Sequence, residues 1–111
     1  VLTCDMLAEG IHFLADDPPA DVAWKLLAVN MSDLAAKGAQ PLGVLLGYSL
    51  SDEAWDRAFV EGLVLACRSF GAPLLGGDTV AQAAGTPRSF ALTAIGEAAG
   101  RVPARSGARP G

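Results

Sequence analysis

The sequence predicts an α+β fold, a mixed four-stranded sheet with helices on one of its faces, and three observations lead to it. Hydrophobic residues make up 51% of the 111-residue chain and charged residues 18%, a composition that buries a core instead of staying disordered. Two stretches with helical period alternate with short apolar runs in the order β, α, β, α, β, β. Glycines and prolines punctuate the junctions between them.

The elements follow in chain order. Val1 to Leu7 is short and apolar and reads as a strand with Asp5 toward its carboxyl end. Asp16-Asp17-Pro18-Pro19 is a turn, because proline fixes φ and pushes its predecessor out of the helical region. Asp21 is then the expected N-cap of a helix of about 17 residues in which Val22, Leu26, Val29 and Asp33 recur, ending at Gly38. Pro41 to Leu50 reads as a buried strand. Ser51 is the expected cap of a second helix, with Asp52 and Glu53 in the first turn and a stripe of Trp55, Phe59, Leu63, Ala66, Cys67 and Phe70 up to Gly71. Pro73-Leu74-Leu75 is a short strand running into a Gly76-Gly77-Asp78-Thr79 loop, and Ser89 to Gly96 is the last strand. One domain with a radius of gyration of about 13 Å is expected, and the sheet face left without helices is a natural dimer interface.

Composition narrows the function. Eight basic against twelve acidic side chains leave a net charge of −4, which argues against nucleic-acid binding through a basic patch. No apolar run approaches the length of a membrane span, and no secretory leader pattern opens the chain. Cys4 and Cys67 lie far apart with no CxxC, so zinc and disulfide-exchange chemistry fall away and the reducing cytoplasm is the expected location. A start without methionine and an abrupt Arg109-Pro110-Gly111 end suggest a piece of a longer polypeptide.

Three aspartates carry the chemical interest: Asp5 after a strand, Asp33 within an apolar helix, and Asp78 in the glycine stretch. Hard cations such as Mg²⁺ take carboxylate oxygens and keep waters for phosphate, so three such carboxylates with a glycine loop suggest a metal-nucleotide site, if they converge. Asp5 and Asp78 also fit ordinary turn carboxylates, whereas Asp33 on a buried helix face would need a partner or a metal. Gly76-Gly77 matches neither a Walker A loop nor a dinucleotide fingerprint. His12 reads as a partly buried, hydrogen-bonded side chain, Trp24, Trp55 and Phe59 as core, and Arg101 and Arg105 as solvated or phosphate-binding.

Three segments taken together resemble thiamine-monophosphate kinases. They are Asp5-Met6-Leu7-Ala8-Glu9-Gly10-Ile11-His12-Phe13, the run Lys25 to Pro41 that contains Asn30-Met31-Ser32-Asp33-Leu34-Ala35-Ala36, and Gly76-Gly77-Asp78-Thr79. The wider superfamily includes aminoimidazole ribonucleotide synthetase, selenophosphate synthetase and a hydrogenase maturation factor. The resemblance implies an amino-terminal domain over residues 1–100, truncated at its amino end, that binds ATP and Mg²⁺ and dimerises through its sheet into a shared barrel. It makes residues 101–111 a linker toward an absent carboxy-terminal domain.

It further implies metal ligands at Asp5, Asp33 and Asp78 with Thr3 and Cys4 beside them, nucleotide contacts at Gly77, Asp78 and Arg105, and His12 near thiamine monophosphate. The implied reaction moves the γ-phosphoryl group of ATP to thiamine monophosphate, giving thiamine diphosphate and ADP, with Asn30 and Ser32 orienting Asp33 and no general base. Cys4 stands where the family often has Ser or Thr, and a thiol suits Mg²⁺ poorly, so only its carbonyl would serve. Val80-Ala81 follow where many relatives have Thr-Arg, and an upstream Gly-Asp-Asp segment is missing, so the 111-residue piece alone is expected to be inactive. The alternatives are another ATP-dependent synthetase of the superfamily and a non-catalytic dimerisation module.

Overall fold

A computed structural model describes residues Val1–Gly111. Four strands and two long helices appear in the predicted order: β1 (Leu2–Ala8), α1 (Pro19–Ala36), β2 (Ala39–Leu50), α2 (Glu53–Phe70), β3 (Leu74–Ala81) and β4 (Ser89–Ala98), followed by a short 3₁₀ turn at Arg105–Gly107. The sheet order is β1-β4-β2-β3, with β4 antiparallel to both neighbours and β3 parallel to β2. It is therefore mixed, as predicted.

Both helices pack on one face of the sheet. Phe90, Leu92 and Ala94 of β4 alternate as buried residues with half-buried neighbours, and Val44, Leu46 and Tyr48 are buried apolar residues of β2 on the same face. Phe90 is the hub of the core. Its ring lies 4.8 Å from Phe59, 4.9 Å from Tyr48, 5.6 Å from Trp55 and 5.9 Å from Phe13, measured between centroids. Such rings bring large apolar area and preferred offset contacts. The two helices approach so closely that a Cβ on Gly62 of α2 would stand 2.5 Å from the Cα of Ala20 in α1.

Several boundaries differ from expectation for local reasons. Asp21 does not cap α1: Pro18 precedes the helix with no side-chain cap bond, Pro19 takes the first helical position, and Asp21 lies in the first turn. Proline's missing N–H costs nothing there, and the carboxylate favours the helix dipole. Asp52, not Ser51, caps α2, its carboxylate accepting from the Trp55 N–H at 3.0 Å. Gly71, at φ 62°, ends α2 in the left-handed conformation as expected. Trp24 is not core: it is 46% exposed and leans on Phe70 at 4.8 Å.

The largest departure is at Gly76-Gly77-Asp78-Thr79, which continues β3 instead of forming a loop. All of β3 is solvent-exposed, so no apolar alternation marks it in the sequence. Gly77 has φ 153°, and a Cβ there would fall 1.9 Å from the Leu46 carbonyl oxygen, so only glycine allows this close pairing with β2. The radius of gyration is 15.2 Å, above the expected value, and the molecule is elongated, with extents of 49 × 27 × 20 Å.

Tyr48 is the only tyrosine, and its hydroxyl donates to Asp56 at 2.7 Å. Burial, with the neighbouring carboxylate, raises its pKa well above the ordinary phenol range. The unfolded chain ionises near pH 10, so this group's contribution to stability is complete below about pH 10 and falls as pH rises beyond it. Tyrosinate absorbance, which reports Tyr48 alone, is expected to rise only as the fold opens, and Tyr48→Phe is expected to remove that alkaline loss. A phenol titrating normally in the folded protein would contradict this account.

Candidate functional site

The helix-facing side of β1 is where the predicted residues first meet. Thr3 lies opposite Ala94 and Asp5 opposite Leu92, both partners being fully buried beneath α1, so Thr3 and Asp5 project to the helix side. There the Thr3 hydroxyl donates to Asp33 of α1 at 3.0 Å. Asp33 is exposed, not buried as the apolar run suggested, and needs no partner to survive on the surface. Asn30 and Ser32 do not orient it: Ser32 is exposed, while Asn30 is buried with its amide donating to the Leu26 carbonyl at 3.0 Å. Thr3 is the residue bonded to Asp33.

Cys4 points the other way. Its side chain is exposed on the helix-free face, and its backbone groups lie on the free edge of β1. This follows from the alternation of an antiparallel ladder: Val1 and Gly96 exchange both hydrogen bonds, so Thr3 and Asp5 bond to β4 while Cys4 does not. Its carbonyl thus lies beside the strand that carries Thr3 and Asp5. Cys67, by contrast, is half-buried in α2, where burial pushes its thiol pKa up.

A groove of about 380 Å³ opens beside the Thr3–Asp33 pair and is also lined by Lys37 and Arg105. Lys37 donates to the Pro103 carbonyl at 2.9 Å, which draws the segment bearing Arg105 back across α1. Two cations and a carboxylate–hydroxyl pair on one groove suit a phosphate chain accompanied by a hard metal ion. Lys37 was not among the predicted residues. Its contact spans 66 positions, and no local pattern announces it.

Asp78 does not join this group within one chain. It lies on β3, with β4 and β2 between it and β1, and it pairs with Gly47 on the helix-free face. Three interstrand spacings of about 4.8 Å put the two edges about 14 Å apart. Within the chain no three His, Cys, Asp or Glu side chains form a group able to hold a metal. The oxygens of Asp33, Asp5 and Thr3 nevertheless fit Mg²⁺ in kind, since that ion takes one or two carboxylates and keeps waters. Gly77 abuts Leu46, and Asp78 accepts from the Thr79 N–H at 2.9 Å.

His12 stands apart, exposed in the turn after β1. Its Nδ1 accepts from the Ala8 N–H at 3.0 Å, and its carbonyl accepts from Lys25.

Residues 1–98 match the family described as AIR synthase related protein, N-terminal domain. Among curated proteins, the thiamine-monophosphate kinase of Salmonella typhimurium is 44% identical over 113 residues, covering 99% of this chain and 34% of that protein. The Synechococcus elongatus enzyme of the same name is 39% identical over 86% of this chain and 30% of its own length. The crystal structure of thiamine monophosphate kinase from Aquifex aeolicus superposes with a TM-score of 0.88 at 32% identity, over 97% of this chain and 36% of that one. A hydrogenase maturation protein HypE shares the fold, with a TM-score of 0.80 at 24% identity over 99% of this chain and 35% of its own. The chain spans about a third of the length of the curated relatives it matches.

The Gly77 geometry yields a prediction independent of any ligand. Gly77→Ala is expected to break the β2–β3 pairing around Leu46, seen as hydrogen exchange accelerated at least tenfold over Leu74–Ala81 while β1 and β4 stay protected. Unchanged protection of β3 in that variant would show that the backbone contact is not limiting.

Proposed function

The chain belongs to the AIR synthase related family through its N-terminal domain, and from that membership we propose that the whole protein phosphorylates thiamine monophosphate with ATP, giving thiamine diphosphate and ADP. The observation that carries the reading is the 44% identity to a thiamine-monophosphate kinase over 99% of the chain, a span that takes in all three motif segments. A related structure, AaThiL complexed with AMPPCP and TMP, has a TM-score of 0.78 at 30% identity over 86% of this chain and 31% of that one.

In this reading Asp33, Asp5, Thr3 and the Cys4 carbonyl hold Mg²⁺, with Asp78 completing the set. Mg²⁺ supplies charge neutralisation for phosphate oxygens when bound. The protein's own part is positional. Arg105 and Lys37 face the groove beside Thr3 and Asp33 and favour the negative phosphate chain of ATP there, while Gly77, which holds β3 tight against Leu46, sets the strand on which Asp78 meets the nucleotide. His12 offers its ring to the thiamine phosphate. The acceptor phosphate is already nucleophilic, so alignment and charge, not a general base, carry the rate.

The same reading takes the protein as a homodimer. The helix-free face presents Leu2 at 71%, Met6 at 61% and Val80 at 54% exposure, together with Ala91, Thr93 and Ile95, and seating a second sheet on it forms the shared barrel. Because Asp78 lies on the sheet edge opposite Asp5 and Asp33, this reading draws its third carboxylate from Asp78 of the partner subunit. The two free thiols agree with a cytoplasmic protein.

Phosphorus NMR on the whole protein with ATP, Mg²⁺ and thiamine monophosphate is expected to give thiamine diphosphate and ADP without inorganic phosphate. Release of inorganic phosphate alone would instead indicate a synthetase. Asp33→Asn is expected to lower turnover at least a hundredfold in a protein that still dimerises. Mixing Asp33→Asn with Asp78→Asn subunits is expected to restore about a quarter of wild-type turnover, since half the dimers are then mixed and each holds one intact site. No recovery would mean that each chain supplies its own Asp78.

A further inference from the structure

We infer that Arg88 is a positioning residue that braces the turn bearing His12 and fixes that ring as an Nε2–H donor. On the kinase reading above, on which the substrate half of the inference rests, the donor is aimed at the phosphate of thiamine monophosphate.

Arg88 enters β4 from the β3–β4 connection and is tied to three elements at once. Its Nη1 donates to Glu9 Oε2 at 2.8 Å, and its backbone N–H donates to the same oxygen at 3.2 Å. The Glu9 N–H in turn donates to the Arg88 carbonyl at 2.9 Å. Its Nε donates to the Ser51 hydroxyl at 2.9 Å, just before α2, and its guanidinium carbon lies 4.4 Å from the centre of the Trp55 ring. Arg88 and Glu9 are each only 17% exposed. A surface ion pair contributes little, but a charge-assisted pair shielded this far, backed by an aromatic face, holds a defined geometry.

The turn from Glu9 to Phe13 is clamped at both ends by this arrangement. Glu9 is held by the ion pair. Phe13 stacks on Trp55 at 6.3 Å, and Arg88 covers that same Trp55. Between the clamps the Gly10 N–H donates to the Phe13 carbonyl at 2.8 Å and the His12 N–H to the Ala8 carbonyl at 2.9 Å. The Ala8 N–H, on the free edge of β1, donates to His12 Nδ1 at 3.0 Å. An Nδ1 that accepts from a backbone donor leaves the proton of the neutral ring on Nε2, directed away from the strand. That N–H is a ready donor to an anionic oxygen, and its direction depends on the turn that Arg88 holds.

His12 is the only histidine, so nitrogen NMR of the imidazole in this chain reads the tautomer without assignment. The wild type is expected to show Nε2 protonated and Nδ1 as acceptor. Arg88→Met, which can still cover Trp55, and Glu9→Gln are each expected to give averaged ring-nitrogen shifts in a folded protein. Arg88→Lys, which keeps the charge but not the fork, should fall between, and it decides the matter if Arg88→Met fails to fold. In the whole protein the Met variant is expected to weaken thiamine monophosphate binding about tenfold to a hundredfold, the range seen when an orienting partner is lost, with binding of a non-hydrolysable ATP analogue unchanged. Retention of the wild-type ring shifts in folded variants would overturn the brace. Absence of thiamine monophosphate binding by the wild-type protein would remove the kinase reading while leaving the NMR result to decide the role of Arg88.

Discussion

The fold depends on β4. It is the only strand paired antiparallel on both sides, and Phe90 near its start joins the rings of Phe13, Tyr48, Trp55 and Phe59 into one cluster. That cluster ties the turn after β1, the carboxyl end of β2 and the first turns of α2 to a single side chain. Burying a large aromatic in contact with four others combines area burial with stacking, and a cavity at its position would be felt by all the elements that supply those rings. Because both helices must seat on this side, the sheet's other face stays bare.

Burial on one side also explains what could be read from the residues. The strands β2 and β4 and the helix α2 carry apolar residues with the period of their element, and glycine or proline at their ends, so their existence follows from pattern alone. The strand β3 carries no such signal. It lies at an edge with no helix over it, and its glycines look like loop until the backbone of Leu46 is seen against Gly77. Trp24 misleads for a related reason: a large aromatic in a helical stripe reads as core, but it stays half exposed and leans on Phe70.

The site was legible as a set of residue types and not as an arrangement. Thr3 and Asp33 are 30 positions apart and meet because β1 and α1 run side by side; Asp5 shares their face by the two-residue alternation of a strand. Asp78 shares their chemistry but not their place, which is a property of strand order and has no trace in spacing along the chain. The partners Glu9 and Arg88, separated by 79 positions, belong to the same class: nothing near either residue indicates the other.

The contact between Gly62 and Ala20 gives α1 the character of a lever. The helix meets α2 almost backbone to backbone near its beginning, at Ala20, whereas Asp33 lies 13 residues further along, about 20 Å at the rise of an α-helix. A tilt of only about three degrees at the near end would carry Asp33 about 1 Å, a displacement large enough to change the rate of a reaction governed by alignment about a hundredfold. The absence of a side chain at position 62 thereby bears on how closely the far end of α1, with Asp33, keeps its place over β1.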